Sequence, residues 1–250
     1  MKRGERVVYY NENNNYGTGL YEDEFATIRG MNTFIAKVYG WMFIGLIVTA
    51  GVALYTVSNV NLLYAILSNN ILFYGLLIGE VILVSVLSAR ITRIRYSTAV
   101  AMFLIYAAVN GLTLSVLLLV FTGESIASAL GITALTFGIM SIYGYVTRAD
   151  LTRFRSILFM GLIGLVVLSL VNIFLRSSGM EWFISMLSLF VFLGLTAYDM
   201  QKLKGFYFGT QGDTGLRNNL GVIGALELYL DFINLFITFL RLFGRSRSRK

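Results

Sequence analysis

The chain has 250 residues, 57% of them apolar and only 13% charged, with a mean hydropathy of +0.74; soluble domains carry about 25% charged and about 45–50% apolar residues, so this is an integral membrane protein. It contains no cysteine, histidine or proline, which excludes disulfides, thiolate or imidazole metal sites, histidine-ligated haem, Ser-His or Cys-His catalysis and proline kinks. The net charge of +7 falls mainly in short stretches between apolar segments, where it serves membrane topology rather than nucleic-acid binding.

Residues 1–33 are polar, rich in Asn, Tyr and Gly between Asn11 and Gly19, and are expected to form a disordered cytoplasmic tail. No cleavable signal peptide is expected, because the first apolar run is too long for an h-region. A transmembrane domain over 34–244 follows, then a basic tail over 245–250. Apolar segments near the ~20 residues needed to span a bilayer fall at about 34–56, 71–89, 98–121, 124–146, 156–175, 182–204 and 221–243. The predicted fold is therefore all-α with seven transmembrane helices. Gly131 and Gly138, or Gly161 and Gly164, are expected at close helix contacts.

Orientation follows from the basic residues. Lys2, Arg3, Arg6 and Arg29 precede the first span. Arg90, Arg93 and Arg95 follow the second; Arg148, Arg153 and Arg155 the fourth; Lys202, Lys204 and Arg217 the sixth. The alternate loops hold only Arg176, which predicts a cytoplasmic N-terminus. The seventh segment strains the rule, since crossing places Arg245, Arg247, Arg249 and Lys250 outside. Its length leaves little chain for a return, so crossing is expected.

That last segment carries Glu227, Asp231, Asn234, Thr238 and Arg241 at i, i+4, i+7, i+11 and i+14, one helix face about 80° wide. A polar stripe inside a membrane protein faces other helices or a water-filled cavity. Glu80 lies in the second span, Asn110, Gly111 and Thr113 in the third, Asn172 in the fifth, and Thr196, Tyr198 and Asp199 end the sixth. Buried amides and hydroxyls are first of all interhelical hydrogen bonds, worth roughly 1 kcal/mol each. Carboxylates differ, because an ionised one at the bilayer centre costs about 2.5–3.5 kcal/mol or more. Glu80, Glu227 and Asp231 must be neutral, paired with a cation or lining water. Two carboxyls within hydrogen-bonding reach cannot both ionise cheaply and share a proton, a pH sensor without histidine. Ionised, they offer hard oxygen ligands suited to Ca²⁺. Asp231 lies about 15 Å in from Gly221 at 1.5 Å per residue, and either Asp231 or Glu227 can partner Asp199. Asp199 is expected closer to the cytoplasmic surface, unless span six continues as a helix to Lys204 with Gly205 as its C-cap. Arg90 is placed to pair with a carboxylate and hold a pathway shut.

The run from Ala225 to Ile237, Ala-Leu-Glu-Leu-Tyr-Leu-Asp-Phe-Ile-Asn-Leu-Phe-Ile, followed by Leu240-Arg241, closely resembles the terminal signature of the transmembrane Bax inhibitor motif family. Tyr198-Asp199 with Lys202 and Lys204 is similar to its sixth-helix signature, and Asn110 to Ser115 to its third-helix motif. The resemblance covers about Ala36 to Gly244, and the Asn-rich tail and small size resemble the bacterial branch. It implies a C-terminal helix at the centre with the other six around it, in a bacterial plasma (inner) membrane. It also implies a pH-sensitive Ca²⁺ leak, gated by Asp199 and Asp231 with Arg90 as latch. Glu80 matches an acidic position of the family, while Glu227 stands where relatives often have a small or polar residue.

The expected function is a Ca²⁺ conduit with Asp199, Asp231 and Arg90 gating it, Glu80, Glu227 and Asn234 as pathway candidates, and Asp199 and Asp231 as tentative Ca²⁺ ligands. Ca²⁺ and protons are the ions handled, no cofactor is expected, and the chain is read as a monomer in the lipid bilayer. The alternative is a regulator without transport of its own that binds a membrane protease or a stress or cell-death protein. An intramembrane aspartyl protease fits poorly, because Tyr229 and Leu230 precede Asp231 where Gly-x-Gly-Asp is needed and Pro-Ala-Leu is impossible without proline, so no enzyme is expected. A retinal-type receptor is excluded by the lack of lysine in the seventh span.

Overall fold

The computed structural model describes the backbone of residues 13–247 and side chains from residue 26 onward. The elements are α1 (Asn13–Ser58), α2 (Val60–Ser68), α3 (Asn70–Arg90), α4 (Tyr96–Val120), α5 (Gly123–Val146), a 3-10 turn (Leu151–Phe154), α6 (Arg155–Leu175), α7 (Ser178–Gly209) and α8 (Thr214–Phe243). Seven of these, all but α2, are long and apolar enough to cross a membrane, one for each segment expected. Local chemistry sets the boundaries: Asn59, Asn69, Thr122, Ser177 and Asp213 each cap the following helix by accepting from a backbone N–H two or three residues on. Asp150 does the same for the 3-10 turn, and bonds from the Thr152 hydroxyl and amide hold its carboxyl below the usual range.

Three expectations are corrected. The tail does not stay irregular to residue 33: α1 extends back to Asn13, while residues 1–12 lie outside those described. The physical reason visible from residue 26 onward is burial of Met31, Phe34 and Ile35, with Phe34 against Tyr207 of α7. Helix α7 runs through Gly205 to Gly209, so Gly205 is no cap, and Asp199 sits well inside a 32-residue helix. Between the first two spans lies α2, read from sequence as loop.

Helix α8 is the most buried. In its most apolar stretch 67% of residues are buried, against 6% to 39% in the other six. It packs extensively on α1, α4, α5 and α7, whereas α3 packs mainly on α4 and α6 mainly on α7. Four helices, rather than all six, thus form its immediate wall. The two ends of α8 settle its path through the bundle. Near its start, Asn219 donates to the carbonyls of Ile91 and Ile94, both at 2.9 Å, in the basic loop after α3. Beyond its end, Arg245 donates to Ser125 Oγ and accepts from the Thr122 amide, at the α4–α5 connection. Thirty residues at 1.5 Å each cover about 45 Å, so α8 crosses from the layer of basic loops to the opposite face.

Of the glycines expected at close helix contacts, Gly131, Gly138 and Gly164 face open space, while Gly161 does lie at one, its Cβ position 2.9 Å from Val191 Cγ2 of α7. The positions tight against a neighbouring helix backbone are others: Gly111, whose Cβ would stand 2.6 Å from the Thr49 carbonyl of α1, and Gly144, whose Cβ would strike the Ala197 carbonyl of α7. Backbone cannot yield as a side-chain tip does, and overpacking costs about 1–3 kcal/mol. Gly144→Ala is therefore expected to lower the melting temperature of the detergent-solubilised protein, while Gly164→Ala leaves it unchanged or raises it, since alanine favours a helix over glycine by ~0.5–1 kcal/mol. Equal melting temperatures for the two variants would refute the assigned contact.

Candidate functional site

Helices α7 and α8 bring four charged side chains together between them. On α7, Asp199 and Lys202 stand three residues apart on one face; on α8, Glu227 and Asp231 stand four apart. Asp199 and Asp231 are both buried, at 8% and 3% exposure, and their carboxyls lie within hydrogen-bonding reach. Two carboxyls bond to each other only when one carries a proton. Lys202 Nζ meets Glu227 Oε1 at 2.6 Å, with both side chains half-buried. Glu227 Oε2 and Asp231 Oδ2 are buried without a hydrogen-bond partner. The Thr196 hydroxyl, beside Asp231, donates back to the Phe192 carbonyl at 2.7 Å. The cluster thus carries three carboxyls, one ammonium and two unused acceptor oxygens.

Of the residues singled out from sequence, Asp199, Asp231 and Glu227 converge here, so Glu227 joins the aspartyl pair instead of competing for it. Arg90 does not. It is exposed at the last turn of α3, a helix that packs mainly on α4, and among the described residues the one ion pair is Lys202–Glu227. The cation at the cluster is therefore Lys202, which sequence reasoning counted as a loop charge. Its signal was present: a lysine three residues after a buried aspartate shares that aspartate's helix face. Asn234 bonds back to the Leu230 carbonyl at 2.8 Å, and Thr238 to the Asn234 carbonyl at 2.7 Å, so neither extends the cluster.

Glu80 belongs to a second buried group. Asn110 Nδ2 donates to Glu80 Oε2 at 3.0 Å and Thr113 Oγ1 to Glu80 Oε1 at 2.8 Å. The Tyr229 hydroxyl donates to Asn110 Oδ1 at 3.0 Å and lies 2.6 Å from Thr49 Oγ1. This chain of bonds joins α3, α4, α8 and α1. Tyr229 stands two residues from both Glu227 and Asp231, about 200° around the helix, so α8 offers one polar face to α7 and another to α1 and α4. Sequence reasoning saw only the first.

For Ca²⁺, the two aspartates fall short of the 6–8 oxygens the ion takes. Among the described residues no group of three or more acidic side chains is spaced to hold a metal.

The profile of the family described as "Inhibitor of apoptosis-promoting Bax1" matches residues 31–248. The inner membrane protein YbhL of Escherichia coli K12 is 46% identical over 221 residues, covering 87% of this chain and 94% of that protein. Uncharacterized proteins of Borreliella burgdorferi and Deinococcus radiodurans are 44% and 41% identical over 217 and 223 residues, covering 87% and 89% of this chain and 94% of each relative. The matched stretch contains both buried polar groups, six spanning helices whole and the first from residue 31 onward: the chain is an integral membrane protein of the Bax inhibitor family.

Proposed function

We propose that the chain is a pH-sensitive Ca²⁺ leak channel of a bacterial inner membrane, gated by proton exchange at Asp199 and Asp231. The observation that supports this most is the contact between these two buried carboxyls on neighbouring spanning helices. Protonated, the pair is compact and carries little charge, and the path between α7 and α8 stays shut. Losing the shared proton puts two like charges side by side in a medium where charge separation from water is costly. The helices then separate, water enters, and the carboxylates present oxygens to a divalent cation. Lys202 holds Glu227 beside them, which keeps the cluster from collapsing onto a second proton. The latch role of Arg90 in the shut state rests on the family resemblance, and reaching the pair requires the end of α3 to leave Asn219, which holds it through the Ile91 and Ile94 carbonyls. No bond-making step is needed, and the protein works as a monomer. The inner-membrane location is supported by the E. coli relative's description.

The absence of a three-carboxylate ion-holding group among the described residues favours a second reading, a regulator that binds another membrane protein. A purified chain inert to Ca²⁺ at every pH, yet isolated with a stoichiometric membrane partner, would establish it.

Two measurements on proteoliposomes test the channel. Ca²⁺ influx is expected to rise between about pH 6 and pH 8 as the shared proton leaves, and Asp199→Asn or Asp231→Asn to cut flux about tenfold and flatten its pH response. Unchanged flux and pH response in both variants would sink the channel. Arg90→Ala is expected to leak Ca²⁺ at the acid end of that range, where the wild type is shut. If acid-side flux stays at the wild-type level, Arg90 is not a latch.

A further inference from the structure

Helices α1 and α5 both pack on α8 but not extensively on each other, which leaves a seam open on the membrane-facing surface. Its upper part, towards the basic loops, is a cleft of about 570 Å³ walled by Asn32, Ile35, Tyr39, Ser141 and Tyr145, with Met200 of α7 among its lining. A shallow cleft holding Arg29 shares Asn32 and Ala36 with it. Further along the seam, past the Tyr39–Phe137–Phe232 ring contacts, lies a second cleft of about 310 Å³ whose sole polar side chain is Thr49.

The polar groups are ordered by depth. Arg29 is exposed at the mouth and, among the described residues, forms no ion pair. Next comes Tyr145, which donates to Asn32 Oδ1 at 2.7 Å and carries Lys204 Nζ 5.6 Å from its ring centre. One helical turn deeper is Ser141, 6% exposed, with its hydroxyl beside that of Tyr39. Below it the walls are apolar. From Arg29 to Tyr39 is about 15 Å of helix, the hydrocarbon depth of one leaflet. A cation at the mouth, a pair of hydroxyls one turn in and an apolar slot beyond match phosphate, ester and acyl chain in that order.

We propose that the α1–α5 seam binds one anionic phospholipid, with its phosphate at Arg29, its ester region at Ser141 and an acyl chain lying between the helices. A partner helix is the wrong shape, being about 10–12 Å across with its side chains. Arg29 and Lys204 select a negative headgroup, as juxtamembrane basic residues do. Met200, beside Asp199 in sequence, lies along the slot, so the lipid keeps water from reaching the α7–α8 cluster through this seam.

The test is native mass spectrometry of the full chain in detergent, titrated with dioleoyl phosphatidylglycerol, its phosphatidylcholine counterpart and glycerophosphoglycerol. One phosphatidylglycerol is expected to bind at least tenfold more tightly than phosphatidylcholine, with the deacylated headgroup not retained. Gly138 faces open space in the cleft, so Gly138→Leu fills the slot without straining the fold. It and Arg29→Ala are expected to weaken binding tenfold or more, while Arg29→Lys retains it. A melting temperature within the wild-type range confirms folding of each variant. Equal retention of phosphatidylglycerol by Gly138→Leu and the wild type overturns the proposal. So does retention of the bare headgroup as tightly as the lipid, or a change from dimer to monomer in Gly138→Leu with lipid binding intact.

Discussion

Everything at the centre of this bundle depends on keeping carboxyl groups where water is scarce. An isolated ionised carboxylate in such a place is prohibitive, and the protein meets the difficulty in two ways. Between α7 and α8 it sets the Asp199 and Asp231 carboxyls against each other and an ammonium against Glu227. Between α3 and α4 it uses neutral donors, with Asn110 and Thr113 each giving one hydrogen bond to Glu80. The second solution satisfies both oxygens of its carboxylate, and Tyr229 and Thr49 in turn support Asn110. A fully bonded buried network is rigidifying, while a partly bonded one is poised to rearrange. Glu227 Oε2 and Asp231 Oδ2, buried with no partner, place the poised site at α7–α8.

That difference assigns separate tasks to two faces of one helix. Tyr229 and Asp231 are two residues apart, yet one is fastened to α1 and α4 while the other meets α7. The aromatic packing of Tyr229 against Phe103 and Tyr106, at 5.7 and 5.9 Å between ring centres, adds to its hydrogen bonds. The anchored face holds the acidic face in register.

The seven spans, the all-α fold and the crossing of the last helix were legible because apolar length and the placement of basic residues are one-dimensional properties. So was the convergence of Asp199 and Asp231, through the family signature around them. The partners of Glu80 were not legible as partners: Asn110 and Thr113 stood out individually, but which helix faces which is decided by packing. Lys202 was missed because a lysine near a helix end reads as a loop charge; only the continuation of α7 to Gly209 turns it inward, beside Glu227. The glycines were placed only in part for a related reason. A glycine pair three or seven residues apart marks a face, but only the crossing point makes the contact: of the four expected, Gly161 alone lies at one, and the crossings tight against backbone fall at Gly111 and Gly144.

The anchoring of α8 also limits how a channel here can open. The helix is held at its start by Asn219 on the Ile91 and Ile94 carbonyls, midway by Tyr229, and at its end by Arg245 on Ser125 and Thr122. Turning it enough to separate Asp231 from Asp199 breaks all three ties together, at a net cost of about 0.5–1.5 kcal/mol for each hydrogen bond and more for those left buried without a partner. Moving α7 asks less, since the Lys202–Glu227 pair is half-exposed and long side chains follow a moving helix. But α7 is itself fastened at the basic-loop end, where Gln201 clasps Ala149 and Leu151 and Lys204 donates to the Tyr145 carbonyl. The least tethered part of the wall is therefore the opposite end of α7, from Ser177 to about Phe192, but Asp199 lies only two residues from the Gln201 tie, so any motion of α7 that parts the two aspartates has to release that tie as well.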